Sequence, residues 1–168
     1  MLDTLENLIK LARERKSTPV GGSYTNKLLT DKSLSKAKVL EEVDELIEAV
    51  EENSNKIHEA ADVFYHLLMF LEANDIKIED VMSELEKRKK NPIKGSYTNK
   101  LLTDKSLSKA KVLEEIDELI EAIEEDTNKI HEAADVLYHL IMYLEANEIK
   151  IEDILKELEN RKNKTNRD

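Results

Sequence analysis

The sequence has 168 residues, with 37 Asp and Glu against 26 Lys and Arg, a net charge of −11, and no cysteine. The acidic balance argues against a nucleic-acid backbone as partner. Without cysteine there are no disulfides and no thiolate chemistry, which fits an intracellular, cytoplasmic setting. No apolar run nears the ~20 residues that cross a bilayer, and no signal-peptide pattern opens the sequence, so no membrane partner is expected. Three Gly and two Pro among abundant Lys, Glu and Leu predict an all-α protein.

Residues 1–16 carry Leu2, Leu5, Leu8, Ile9 and Ala12 at helical spacing. Ser17-Thr-Pro-Val-Gly-Gly22 ends that helix, and Ser23 caps a short helical turn over 23–29. The next helix opens at Thr30-Asp31 and Ser33 and runs to Glu52, with its apolar stripe on Val39, Val43, Leu46, Ile47 and Val50. Asn53-Ser-Asn55 turns the chain into a helix over 56–74, for which Asn74 is the expected left-handed cap. A helix over 78–90 places Ile78, Val81, Met82 and Leu85 on one face.

At Gly95 the pattern starts again. Residues 22–91 and 95–164 align without a gap, and 56 of the 70 positions are identical. The sequence therefore divides into two tandem copies, 1–91 and 92–168, expected to pair as a helical-bundle pseudo-dimer within one chain or by exchange of copies between two chains. Lys87-Arg-Lys-Lys-Asn-Pro92 also resembles Glu14-Arg-Lys-Ser-Thr-Pro19. Helix 78–90 thus stands where the second copy would have its opening helix, and the two copies share it. One apolar stripe serves one core fully, not two.

From Glu41 to Glu52 there are seven carboxylates and no base. Like charges at i,i+3 and i,i+4 destabilise a helix by a few tenths of a kcal/mol (~0.2–0.5) per pair, so they either spread into water or gather a cation. On helix 56–74 a wide apolar arc includes Ile57, Ala60, Ala61, Phe64, Leu67, Leu68 and Leu71. Glu59, Asp62 and His66 stand opposite, with Val63 and Phe70 at the margin. A hairpin of the two helices brings Glu42, Glu45, Glu59 and Asp62 into one cluster, and the second copy offers Glu115, Glu118, Glu132 and Asp135. A Glu-rich helix face alone is usually solvated surface. A second acidic pair on a mostly apolar helix shifts the balance, because a charge there must be exposed in a cleft, paired or metal-bound. Oxygen-only ligands suit Mg²⁺ or Mn²⁺. Lys27 and Lys38, with Lys100 and Lys111, are the candidate ligands for substrate phosphate. His66 and His139, and Tyr65 and Tyr138, read as packing residues. No Ser/His/Asp set, Gly-rich phosphate loop or zinc spacing is present, so metal-assisted attack of water on a phosphoanhydride fits the available residues best.

Glu41-Glu-Val-Asp-Glu45 followed by Glu59-Ala-Ala-Asp62 resembles the E-E-x-x-E … E-x-x-D signature of the all-α nucleotide pyrophosphohydrolases of MazG type. Gly22-Ser-Tyr-Thr-Asn-Lys-Leu28, Glu59-Ala-Ala-Asp-Val-Phe-Tyr-His-Leu67 and the ending Ile78 to Arg88 resemble the phosphoribosyl-ATP pyrophosphatases within that group. The resemblance covers nearly the whole chain, twice. It implies Mg²⁺-dependent cleavage of phosphoribosyl-ATP to phosphoribosyl-AMP and pyrophosphate in histidine biosynthesis, metal on the carboxylates, and catalytic roles for Glu41 and Glu114. Many members carry Gly just before the Glu pair, where this chain has Leu40 and Leu113. The alternatives are a related house-cleaning nucleoside triphosphate pyrophosphohydrolase and, from another class, a non-catalytic acidic helical assembly module.

Overall fold

The computed structural model describes residues 3–90 and 96–165; Gly95 and the 91/92 boundary between the sequence copies lie outside them. Among the described residues there are nine helices and no strand: α1 (Asp3–Ser17), α2 (Tyr24–Thr30), α3 (Lys32–Glu52), α4 (Lys56–Ala73), α5 (Ile78–Lys90), α6 (Ser96–Thr103), α7 (Lys105–Glu125), α8 (Lys129–Ala146) and α9 (Ile151–Thr165). The all-α expectation and the tandem helical units hold.

The boundaries follow local chemistry. Gly22 sits at φ +78, where a side chain would be strained, and lets the chain enter α2 behind its cap Ser23. The Asp31 carboxylate accepts from Leu34 N at 2.9 Å and starts α3. Asn53 and Asn55 both take left-handed backbone, which Asn tolerates better than most residues, and so close the α3–α4 turn. The end of α4 differs from expectation. Asn74 has φ −100, and the left-handed residue is Asp75 at φ 58. Asn74 instead turns its side-chain amide back onto Phe70 O at 2.8 Å, satisfying a carbonyl of the last turn.

The α3–α4 hairpin is the core of its unit, with Val39, Val43 and Leu46 buried against Ala60, Phe64, Leu67 and Leu71. Each such large side chain contributes about 1.5–3 kcal/mol relative to leaving it in water. Burial on α4 goes further round than the apolar arc implies, since Val63, His66 and Phe70 are also buried. Ile57 and Met82 go the other way and are exposed, at 40% and 53%.

The chain divides into two compact units, and these are not the two copies as written. The first unit holds α1 to α4 with α9; the second holds α5 to α8. Helix α9, which ends the second copy, packs on α4, and α5, which ends the first, packs on α8. The two copies have exchanged their closing helices. Val81 and Ile154, the matched anchors of α5 and α9, are each fully buried.

The units differ in one respect. In the first, α1 covers α2 and α4 with Ile9 and Ala12. Arg13 donates to Glu72 Oε1 at 2.9 Å, Lys16 reaches Asp75 at 2.6 Å, and Asn26 Nδ2 donates to Arg15 O at 2.7 Å. Among the described residues the second unit has no such helix. Leu68, 4% exposed, has its counterpart in Ile141 at 40%, and the buried Asn26 has its counterpart in the exposed Asn99. Asn26→Ala removes the buried amide that bonds Arg15 O and Val20 N; at about 0.5–1.5 kcal/mol per hydrogen bond it should destabilise by about 1–3 kcal/mol in urea unfolding, whereas Asn99→Ala should cost under about 0.5 kcal/mol. Equal losses would show that α1 does not set the difference.

Candidate active site

Two neighbouring helices and one tight turn build the site. Glu42 and Glu45 are one turn apart on α3, and Glu59 and Asp62 are one turn apart at the start of α4. The left-handed Asn53 and Asn55 fold the second pair back beside the first. Carboxylate oxygens of Glu42, Glu45 and Glu59 lie within 4.8 Å of one another, as do those of Glu115, Glu118 and Glu132 in the other unit. Asp62 lies within the same distance of Glu42 and His66, and also of Glu59 and His58, while Asp135 joins through Glu132 and His131. Glu42 and Glu115 are buried, Glu59 and Glu132 half-buried, and Glu45 and Glu118 exposed.

Other predicted residues stand at different distances from this set. Lys38 lies 2.8 Å from Glu41 Oε2 and 3.3 Å from Glu42 Oε1, and Lys111 repeats the arrangement at 2.7 and 3.5 Å from Glu114 and Glu115. Glu41 and Glu114 are thus at the rim, half-exposed and held by lysine. Lys27 and Lys100 are exposed on α2 and α6, apart from the lysines that pair with the acids.

Behind the acids is a polar layer that sequence spacing does not reveal. His66 Nδ1 donates to Asp62 O at 2.9 Å, so its Nε2 lone pair is left to accept from Tyr24 Oη, also at 2.9 Å. Both ring nitrogens are thereby engaged, and burial pushes the imidazole below its usual range. His66 is neutral and acts as a pin beside the acids, with Nδ1 3.7 Å from Glu42 Oε1. Thr25 Oγ1 and Tyr65 Oη pair at 2.6 Å. Tyr97, Thr98, Tyr138 and His139 repeat both bonds. The Ser-Tyr-Thr stretch of α2 is therefore tied to the face of α4 that carries the site.

The residue that sequence reasoning missed comes from the exchanged helix. Arg161 of α9 donates to Asp62 Oδ1 at 2.5 Å, to His58 Nδ1 at 2.9 Å and to Glu157 at 2.9 Å. Because His58 Nδ1 accepts, its proton sits on Nε2, which faces Asp62 Oδ2 at 3.3 Å. Arg88 of α5 makes the same set with Asp135, His131 and Glu84. The available signal was that Arg88 and Arg161 match while Lys87 and Lys90 become Asn160 and Asn163.

The electrostatics test whether a cation fits. Burial is the first cause raising Glu42, Glu45 and Glu59, with neighbouring carboxylates adding to it and Lys38 opposing at Glu42 and Glu45. Glu115 is pushed up to about 7 by burial, then by Asp135 and Glu118. Its buried Oε2 has no hydrogen-bond partner. A carboxylate oxygen facing two further carboxylates, without a donor, is what a hard cation with oxygen ligands completes. The residues present fit such an ion.

The chain is similar to known proteins over most of its described length. The family model described as phosphoribosyl-ATP pyrophosphohydrolase matches twice, over residues 5–89 and 85–162. The histidine biosynthesis bifunctional protein HisIE of Pyrococcus furiosus is 42% identical over 90 residues, which are 53% of this chain and 43% of that one. The chloroplastic bifunctional protein of Arabidopsis thaliana is 40% identical, over 52% of this chain and 33% of its own length. The phosphoribosyl-ATP pyrophosphatase of Clostridium acetobutylicum is 42% identical over 98 residues, 56% of this chain and 87% of that one. The chain thus spans less than half the length of the two bifunctional relatives. No solved structure matches it.

The raised carboxylates set a pH dependence. Folded Glu115 binds its proton more tightly than the unfolded chain does, so its contribution to stability is present at low pH and is lost as pH rises through about 7. The lowered His66 and His139 slope the opposite way, an effect complete above the ordinary histidine value of about 6.5. Because the histidines oppose it, the Glu115 contribution is read against Glu115→Gln: in chelator the starting protein should lose stability relative to that variant between about pH 5 and 7, by on the order of 1 kcal/mol, and excess Mg²⁺ should reduce the loss. No such difference in thermal melts would count against the carboxylate cluster as described.

Proposed function

Because the chain belongs to the phosphoribosyl-ATP pyrophosphohydrolase family, we propose that it hydrolyses phosphoribosyl-ATP to phosphoribosyl-AMP and pyrophosphate, as a Mg²⁺-dependent cytoplasmic enzyme of histidine biosynthesis. The observation that carries this reading is the complete set of converging carboxylates in each of two units, on the residues of the pyrophosphohydrolase signature.

Glu42, Glu45, Glu59 and Asp62 would hold the cation in the first unit, and Glu115, Glu118, Glu132 and Asp135 in the second. Mn²⁺ would fit the same oxygen ligands. The chemistry such an ion supplies when bound is Lewis-acid polarisation of phosphoryl oxygens and a more acidic water. The chain's own groups do the remainder. Glu41 and Glu114, at the rim, accept the proton of the attacking water. Lys38 and Lys111 stand between those bases and the buried glutamates, where an ammonium also faces substrate phosphate. Lys27 and Lys100, exposed on the helices that Tyr24 and Tyr97 anchor, offer a second charge to the phosphates. Water's oxygen becomes part of the phosphoribosyl-AMP phosphate, and the bond to the pyrophosphate oxygen breaks. The two copies work as an internal pair, supported by the exchange of α5 and α9.

Pyrophosphate release tests the reaction. Phosphoribosyl-ATP should be turned over in preference to ATP, dATP and the other nucleoside triphosphates, and chelation should stop release. A preference for the ordinary triphosphates would indicate a house-cleaning enzyme, and no release from any of them a non-catalytic module. Light scattering should give a particle of 19.4 kDa, the mass of one chain; twice that mass would contradict the internal pair.

A further inference from the structure

Both exchanged helices bring an arginine to the acids. Each makes the same four contacts: one carboxylate on its own helix, one aspartate on the acidic helix, and the ring nitrogen and carbonyl of a histidine one turn earlier. These contacts hold the aspartate at two points. The guanidinium takes Asp62 Oδ1 directly, and by occupying His58 Nδ1 it directs the Nε2 proton at Oδ2. Burial works against the charge on Arg161, but its bonds to Glu157 and Asp62 outweigh it, so the ion pair is kept. Glu157 in turn sits below the usual carboxylate range because of Arg161.

We propose that Arg161 and Arg88 are positioning residues, each setting the aspartate of the site that belongs to the other sequence copy: Arg161 for the Glu42–Glu45–Glu59–Asp62 site, and Arg88 for the Glu115–Glu118–Glu132–Asp135 site. Neither copy then has a working site without the closing helix of its twin, although every carboxylate of a site comes from one copy. This goes beyond the proposed hydrolysis and rests on it only for the activity readout.

The decisive experiment pairs each arginine with one inactivated site. Glu45→Gln disables the first site and should leave about half of kcat with KM little changed, because the second site is intact. Adding Arg161→Gln damages a site already lost, so about half should remain. Adding Arg88→Gln damages the surviving site, and turnover should fall to below about a tenth of the starting protein, the range typical for loss of a group that orients a ligand. Arg161→Lys and Arg88→Lys keep the charge without the fork and should give intermediate values in the same pattern. Thermal midpoints identify any variant that fails to fold, in which case the Lys variant takes its place.

If Glu45→Gln with Arg161→Gln is the inactive pair, each arginine serves its own copy and the proposal is wrong. If both pairs retain half, the arginines position nothing and it is equally wrong. A second readout needs no substrate. Among the four histidine ring signals in NMR, Arg161→Gln should move that of His58 and leave that of His131, with the reverse for Arg88→Gln; the opposite assignment overturns the exchange. Absence of turnover in the unmodified protein would sink the proposed reaction alone, with the histidine test still deciding the arginines.

Discussion

Carboxylates crowd together on one helical hairpin of each unit, and much of the surrounding structure answers the repulsion among them. At about 4 Å two like charges repel by about 1 kcal/mol in water and about 4 kcal/mol in the environment typical of a protein surface. Glu42, Glu45 and Glu59 bring their oxygens within 4.8 Å. Lys38 meets the cluster from α3 itself and Arg161 from α9, while Glu59 lies in the first turn of α4, where the helix dipole favours negative charge. These offset the repulsion in part. The raised carboxylates and the unsatisfied Oε2 of Glu115 mark what is left for a metal to take up.

Holding such a cluster needs a stiff frame. Helix α4 supplies it by being buried over most of its girth, so its backbone cannot turn to carry Glu59 and Asp62 out into water. The His66 ring locks the same helix by bonding back to Asp62 O and outward to Tyr24. Packing, tautomer and carboxylate geometry are thus one connected arrangement, repeated in the second unit through His139 and Tyr97.

The sequence made the helices and the acidic set readable, because each is a local matter. Asp31 caps α3 and the Asn53–Asn55 turn separates two amphipathic helices; that hairpin alone brings Glu42, Glu45 and Glu59 together. Which closing helix serves which site was not readable, and the reason is physical. Val81 matches Ile154, Glu84 matches Glu157, and Arg88 matches Arg161, so α5 and α9 offer nearly the same contacts to either copy. Only the path of the chain distinguishes the two solutions. The Tyr24–His66 and Thr25–Tyr65 bonds escaped for a related reason, since they join residues about forty positions apart with no periodic signal. The exposure of Met82 against the burial of Leu155, the matching position of α9, followed neither from spacing nor from hydropathy. Helix α9 also packs on α1, and among the described residues α5 has no such neighbour within its unit.

The exchange of closing helices has a consequence for the order in which the protein can be completed during synthesis. The contact that closes the second unit, Arg88 to Asp135, spans 47 positions, whereas Arg161 to Asp62, which closes the first, spans 99. Domains generally fold from the N-terminus as they leave the ribosome, yet here the half that emerges first finishes last. Helices α1 to α4 must wait with the α4 face bare until α9 has been translated, while α5 to α8 can close as soon as α8 is available. The long loop closure makes the first unit the slower to form. For that interval, the nascent chain depends on α1 to shield part of α4 from the wrong partner.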